Sequence, residues 1–204
     1  MVVHLHRGDL PEEVSFNGAI AVDSETMGLS LVRDRLCLVQ LSDGGESAHL
    51  VQIIPGVEPV RLKAVLGDPT RLKILHFARF DVAMAMRDLG VVMQPIYCTK
   101  IASKLARTYT DRHGLKDVVK ELLGRDVSKE QQSSDWGADA LTDAQLSYAA
   151  SDVLHLHALK AKLDAILTRE NRMDIAQACF DFLPTRAALD LAGWEETDIF
   201  SHSS

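Results

Sequence analysis

The chain has 204 residues, 47% of them hydrophobic, enough for one well-buried domain with at most a small appendage. Its net charge of −7 argues against a protein that coats nucleic acid by charge alone. No apolar run approaches the ~20 residues that span a bilayer, so no membrane partner is expected.

The N-terminus "MVVHLHRGDLPEE" is charged too soon for a secretory signal. Cys37, Cys98 and Cys179 are odd in number and far apart, which favours reduced thiols and a cytoplasmic protein. Strands dominate the first half. "GAIAVDSE", "RLCLVQLSD" and "SAHLVQII" are β-rich runs with short links, which predicts an antiparallel meander. "VEPVRLKAVLGD" changes to helical spacing and stops at Gly67, Asp68 and Pro69. "RLKILHF" is a short buried strand, "FDVAMAMRDLG" a helix closing at Gly90, and "MQPIYCT" a last strand. Beyond Thr99 the chain reads as helical: "KIASKLART", then "HGLKDVVKELLG" with its glycine stop. A long stretch follows from Leu141 to Asn171, N-capped by Thr142 and without interruption in its apolar period. Pro184 is expected to separate a short last helix, and the tail "ETDIFSHSS" to fray. The sum is one α/β domain, a mixed sheet of about five strands covered by helices.

Charge is uneven. Lys100 to Lys129 holds eight Lys/Arg against four Asp/Glu, whereas Gln131 to the C-terminus holds five against twelve. The basic segment suits either a solvated helical face or a surface that meets phosphates.

Acids also stand where apolar periodicity predicts burial or a cleft. Asp23 and Glu25 end a hydrophobic strand and, two apart, share a face. Alone, such a pair equally suits a strand end emerging into solvent. Asp81 follows a strand at a helix start, a place that also suits capping or the helix dipole. Tyr148 and Asp152 in "YAASD" are i and i+4, one helical face, which a core tyrosine bonded to an acid would also satisfy. Together the four carboxylates form a set suited to hard cations such as Mg²⁺ and Mn²⁺. Two cations would relieve the repulsion between Asp23 and Glu25, and paired metals clamp both oxygens of a phosphodiester displacement.

In this order and spacing, the chain resembles the DEDD superfamily of 3′→5′ exonucleases, in its tyrosine-bearing branch, and specifically ribonuclease D. "VDSETMGL", "HFARFDV" and "YAASD" match the three exonuclease motifs, and "LVQLS", "KIASKLART", "HGLKDVVKELLG" and "SSDWGADALTDAQLSYAASDVLHL" extend the match. It runs from about Phe16 to Leu163. The resemblance implies a ribonuclease-H-like fold, a mixed five-stranded sheet flanked by helices, with a helical C-terminal half. It implies two divalent cations, Mg²⁺ or Mn²⁺. Asp23 would bridge both, Glu25 and Asp152 would hold the one carrying the attacking water, and Asp81 would serve the second. Tyr148 would orient that water. The implied substrate is the 3′ end of single-stranded RNA, shortened to nucleoside 5′-monophosphates in 3′-end processing or decay. DNA is compatible with the same motifs, and a non-catalytic binding module on this fold is disfavoured by the intact acids.

Similar enzymes hold the terminal nucleotide just after the first motif, which points to Thr26, Met27, Gly28 and Leu29. His76 and Phe80 border Asp81 and are expected in the same cleft. Lys100, Lys104 and Arg107 recur at helical spacing and could follow the RNA backbone, while Trp136 is expected to pack. About forty residues follow the matched region, too few for the C-terminal helical domains of longer ribonucleases D. A single exonuclease domain over 1–204 is expected, its grip on RNA supplied by the domain itself, a homodimer or another protein. Cys98 stands where many relatives have aspartate, a departure that is not expected to abolish the metal site.

Overall fold

Leu36–Ser42 is buried along its whole length, as expected of an inner strand covered on both faces. A computed structural model describes residues 2–127 and 130–202. Its strands are β1 (Val2–Arg7), β2 (Ile20–Thr26), β3 (Leu36–Ser42), β4 (Ser47–Gln52), β5 (Lys73–Leu75) and β6 (Ile96–Cys98). The helices are α1 (Val60–Gly67), α2 (Ala78–Met84), α3 (Thr99–Ala106), α4 (Leu115–Leu123), α5 (Asp143–Leu154), α6 (Leu156–Arg169) and α7 (Met173–Leu189). Ala85–Leu89 continues α2 as a π-helical segment, closed by Gly90 in the left-handed region, and Asp190–Trp194 continues α7 as a second, with the left-handed Gly193 inside it.

The sheet runs β1-β4-β3-β2-β5-β6, with β3 antiparallel to both neighbours and every other pairing parallel. The expected meander is therefore β2-β3-β4. The sheet has six strands and not five, because Val2–Arg7 pairs along the outer edge of β4. That segment is mostly exposed on both faces, so backbone pairing and not a buried stripe makes it a strand.

Two helical expectations change as well. The stretch from Leu141 to Asn171 is not one helix but two, divided at His155. α5 lies on β2, β3 and β4, whereas α6 packs against α3, α4 and α7, and those two directions require the break. Thr142 does cap α5, in a reciprocal capping box with Gln145. Pro184 does not separate a helix: it lies inside α7. Ala176, Phe180, Leu183 and Ala187 form a buried stripe on both sides of it, and that packing outweighs the ~3 kcal/mol cost of an interior proline. The tail turns back along α7, with Phe200 5.9 Å from Phe182 between ring centroids.

The sheet positions the acids through unequal strand lengths. β2 pairs with β5 only through Ile20 and Ala21, and β5 ends at Leu75, one residue past Ala21's partner Ile74. Beyond that point β2 continues alone on this side, carrying Asp23 and Glu25 past the carboxyl ends of the parallel strands, where ligands bind in open α/β sheets. A bulge between Glu25 and Thr26, opposite Cys37, ends the regular ladder there.

Candidate active site

β2 is buried through Ile20, Ala21 and Val22, and where it runs on past β5 it leaves Asp23 and Glu25 half-buried at the mouth of a cleft of about 620 Å³. Asp81 enters from the first turn of α2, and Asp152 from α5 with Tyr148 one turn before it; all five line that cleft. Carboxylate oxygens of Asp23, Glu25 and Asp152 lie within 4.8 Å of one another. Ser24, between the two strand acids, donates its hydroxyl to Asp81 Oδ1 at 2.5 Å and ties the fourth carboxylate to β2.

The electrostatics follow from that crowding. Burial, then the charges of Asp81, Asp152 and Glu25, hold Asp23 well above the usual carboxylate range. Burial and the charges of Asp152 and Asp81 push Glu25 up to about 9. Burial raises Asp81 to about 7 against the opposing hydrogen bond from Ser24. It raises Asp152 to about 7 against that from Tyr148. Tyr148 itself is pushed above its ordinary value by burial and by the charges of Asp152 and Glu25. Four acids that hinder one another's ionisation form an all-oxygen donor set, and hard divalent cations fit it.

The other expected residues divide. Thr26, Met27, Gly28, Leu29, His76, Phe80 and Lys100 all line the cleft. Met27 and Leu29 are exposed within it, and Phe80 is half-buried. His76 Nδ1 lies 2.8 Å from Thr99 Oγ1, which also lies 3.1 Å from the Leu75 carbonyl oxygen, so the ring is fixed on the β5–α3 junction. Gly28 serves the loop: a Cβ there would sit 2.9 Å from Asp34 Cγ. Arg87 steadies the same loop by donating to the carbonyls of Leu31 and Asp34, while Asp88 accepts from the Leu36 amide at 2.7 Å.

Lys104 is exposed on α3 outside the cleft lining. Arg107 does not follow any external backbone. It is fully buried, paired with Glu121, and donates to Ser103 Oγ and the Arg112 carbonyl. Trp136 packs as expected, buried with its ring 6.1 Å from that of Tyr148. Sequence reasoning missed Ser24, Phe77, Lys116, Ser133 and Ser134, all of which line the cleft. Ser24 and Phe77 sit inside the motifs and were within reach. The other three reach the cleft from segments whose position depends on how α4 and α5 pack.

All three cysteines are free, and among the described residues no helix is long and apolar enough to cross a membrane.

Comparison with known proteins identifies the family. The model of the 3′–5′ exonuclease family matches residues 8–168. Ribonuclease D of Gluconacetobacter diazotrophicus is 32% identical over 155 residues, 76% of this chain and 39% of that protein. The chain thus spans about two fifths of this curated relative's length. The structure of Escherichia coli RNase D superposes with a TM-score of 0.73 at 30% identity, over 83% of this chain and 44% of that one. Its neighbourhood makes the six-stranded α/β architecture a ribonuclease-H-like exonuclease fold. Brucella melitensis NrnC covers the chain end to end. Its structure with bound Mg²⁺ gives a TM-score of 0.95 at 52% identity, and its structure bound to pGG gives 0.96 at 53%, with full coverage of both chains. Because the family match takes in every one of the converging acids and most of the sequence around them, this chain belongs to the 3′–5′ exonuclease family.

Proposed function

We propose that the protein is a metal-dependent 3′→5′ exoribonuclease that removes nucleoside 5′-monophosphates from single-stranded 3′ ends. The convergence of Asp23, Glu25 and Asp152 within 4.8 Å, with Asp81 held beside them by Ser24, carries this reading. The Mg²⁺ bound to the NrnC neighbour supports a hard cation, Mg²⁺ or Mn²⁺, and the pGG bound there supports a short oligonucleotide as one substrate. Asp23, Glu25 and Asp152 would hold one cation, and Asp23 with Asp81 a second. Bound there, the pair would make water a nucleophile near neutral pH and neutralise charge on the departing 3′-oxygen.

The protein's own groups do the rest. Tyr148 is neutral at working pH, so it orients the attacking water by hydrogen bonding and does not deprotonate it. Asp152, bonded to Tyr148, fixes the direction of that hydroxyl. Ser24 keeps Asp81 pointed at the strand acids. The loop at 26–29, clamped through Arg87 and Asp88, offers Thr26 and the apolar side chains of Met27 and Leu29 to the terminal nucleotide.

The test is digestion of 3′- and 5′-labelled single-stranded RNA, with matched DNA in parallel, in Mn²⁺ and in chelator. The expected result is a ladder shortening from the 3′ end of RNA, abolished by chelator and by Asp81→Ala. Internal fragments, chelator-resistant cleavage or faster loss of DNA would each refute the assignment as stated.

A further inference from the structure

The turn joining β5 to α2 contains a residue that neither the turn nor the core explains. Phe77 has φ +68° and ψ 42°, in the left-handed region that side chains other than glycine and asparagine rarely enter. A glycine would make this turn without strain. The phenyl ring does not fill the core either: Phe77 is 47% exposed, and it lines the same cleft as the four carboxylates. Lys100 places Nζ 4.1 Å from its ring centroid, a cation–π contact at the cleft wall. Strained backbone that holds an exposed aromatic ring inside a cleft is the pattern expected where the ring itself meets a ligand.

We propose that Phe77 is the stacking platform for a nucleobase at the substrate's 3′ end, with the Lys100 ammonium placed for the phosphate next to that base. The inference rests on the exonuclease reading and adds to it how the base is held. An aromatic face accepts every base, because every base has a π-face, and it favours the larger purines through area alone. The platform therefore gives a degradative enzyme grip without a sequence code, together with a graded preference among 3′-terminal bases. Phe77 stands four positions before Asp81, so a base seated on the ring is coupled through the first turn of α2 to the metal-binding acids.

Three variants separate this role from packing: Phe77→Leu, Phe77→Trp and Phe77→Gly. Each is measured for kcat and KM on RNA oligomers ending in a purine or a pyrimidine, for Tm, and for quenching of 2-aminopurine at the 3′ terminus of a bound oligomer. Stacking on one aromatic ring predicts that Phe77→Leu raises KM about tenfold with kcat within about twofold, and narrows the purine preference. Phe77→Trp restores both. Phe77→Gly raises Tm by relieving the left-handed strain, yet loses binding and quenching as Phe77→Leu does. Unchanged KM, base preference and quenching in Phe77→Leu or Phe77→Gly overturn the proposal. If the wild-type protein cleaves no RNA, the exonuclease reading fails on its own, and the quenching arm still decides whether a base stacks on Phe77.

Discussion

Without metal, burial pushes Asp81 and Asp152 up to about 7 and, with the charges of Asp152 and Asp81, Glu25 up to about 9, against about 4 for free carboxyls. Between those limits the native state holds more protons than the unfolded chain, so the metal-free protein loses stability as pH rises through the window. Below the unfolded value the contribution is complete, and above the folded values it is gone. A divalent cation displaces the protons and binds only the native state, adding about 2.7 kcal/mol at a hundred times its Kd. The expected outcome is a Tm that falls from pH 5 to pH 8.5 without metal, and an Mn²⁺-induced rise that is larger at pH 8.5 than at pH 5. A flat, metal-insensitive melting profile would show that these acids share no site. Glu25→Gln should raise the metal-free Tm at pH 8.5, because it removes the cost of holding a carboxyl protonated at a pH where the unfolded chain ionises it. It should also cut cleavage by more than about a hundredfold, the upper range for losing a residue that merely supports a ligand. Tyr148→Phe separates chemistry from binding: kcat should drop by about a hundredfold while the Mn²⁺-induced Tm rise stays.

Among the elements, α2 carries the most consequence per residue, and it is anchored from the far end of the chain. Asp190, its side chain 1% exposed, accepts from Arg79 at 2.6 and 2.7 Å and from Arg186 at 2.6 Å. Arg79 lies on α2 two residues before Asp81, and also donates to the Glu195 carbonyl. Asp190→Ala strands two guanidiniums and should cost about 3 kcal/mol. For a chain of this length that is a fall in Tm of roughly 6–12 °C. Asp190→Asn keeps the shape and should cost less. Both should weaken Mn²⁺ binding through Asp81, as metal titrations followed by Tm would reveal; equal affinity in all three proteins would make the clamp purely structural. No local pattern in the sequence announces this clamp, since its partners are 111 residues apart. What the sequence did carry was parity. Asp23 with Glu25 and Tyr148 with Asp152 share faces by the periods of strand and helix, and the meander and most helix ends follow from apolar runs and glycines. Relations set by packing were illegible: β1, whose faces are mostly exposed and give no stripe; the division at His155, set by what α5 and α6 each lie against; and Arg107, whose helical spacing suggested a surface that Glu121 turns inward.

For the molecule as a whole, the question is how a body of net charge −7 holds a polyanion. Its far field repels nucleic acid, so attraction must come from groups close to the bound end. Lys100 and Lys116 are the lysines lining the cleft among the described residues, Arg107 is buried in its own ion pair, and Lys120 is paired with Asp126 at 2.7 Å. Each phosphate neutralised on a single strand contributes about −0.7 to the slope of log K against log salt. Two lysines therefore predict a slope near −1.4, a loss of only about sevenfold between 50 and 200 mM KCl. Binding of labelled single-stranded RNA at constant Mn²⁺ across that range measures it directly. A slope of about −5 or steeper would mean about seven or more phosphates engaged. The outer basic face of α3 and α4, with Lys104 and Lys120, would then be a second tract for the strand, and longer RNAs should bind progressively tighter. A shallow slope, with affinity independent of length, places the whole grip at the 3′ end, where the cations and the aromatic wall act together and the repulsive body keeps the rest of the strand in solvent.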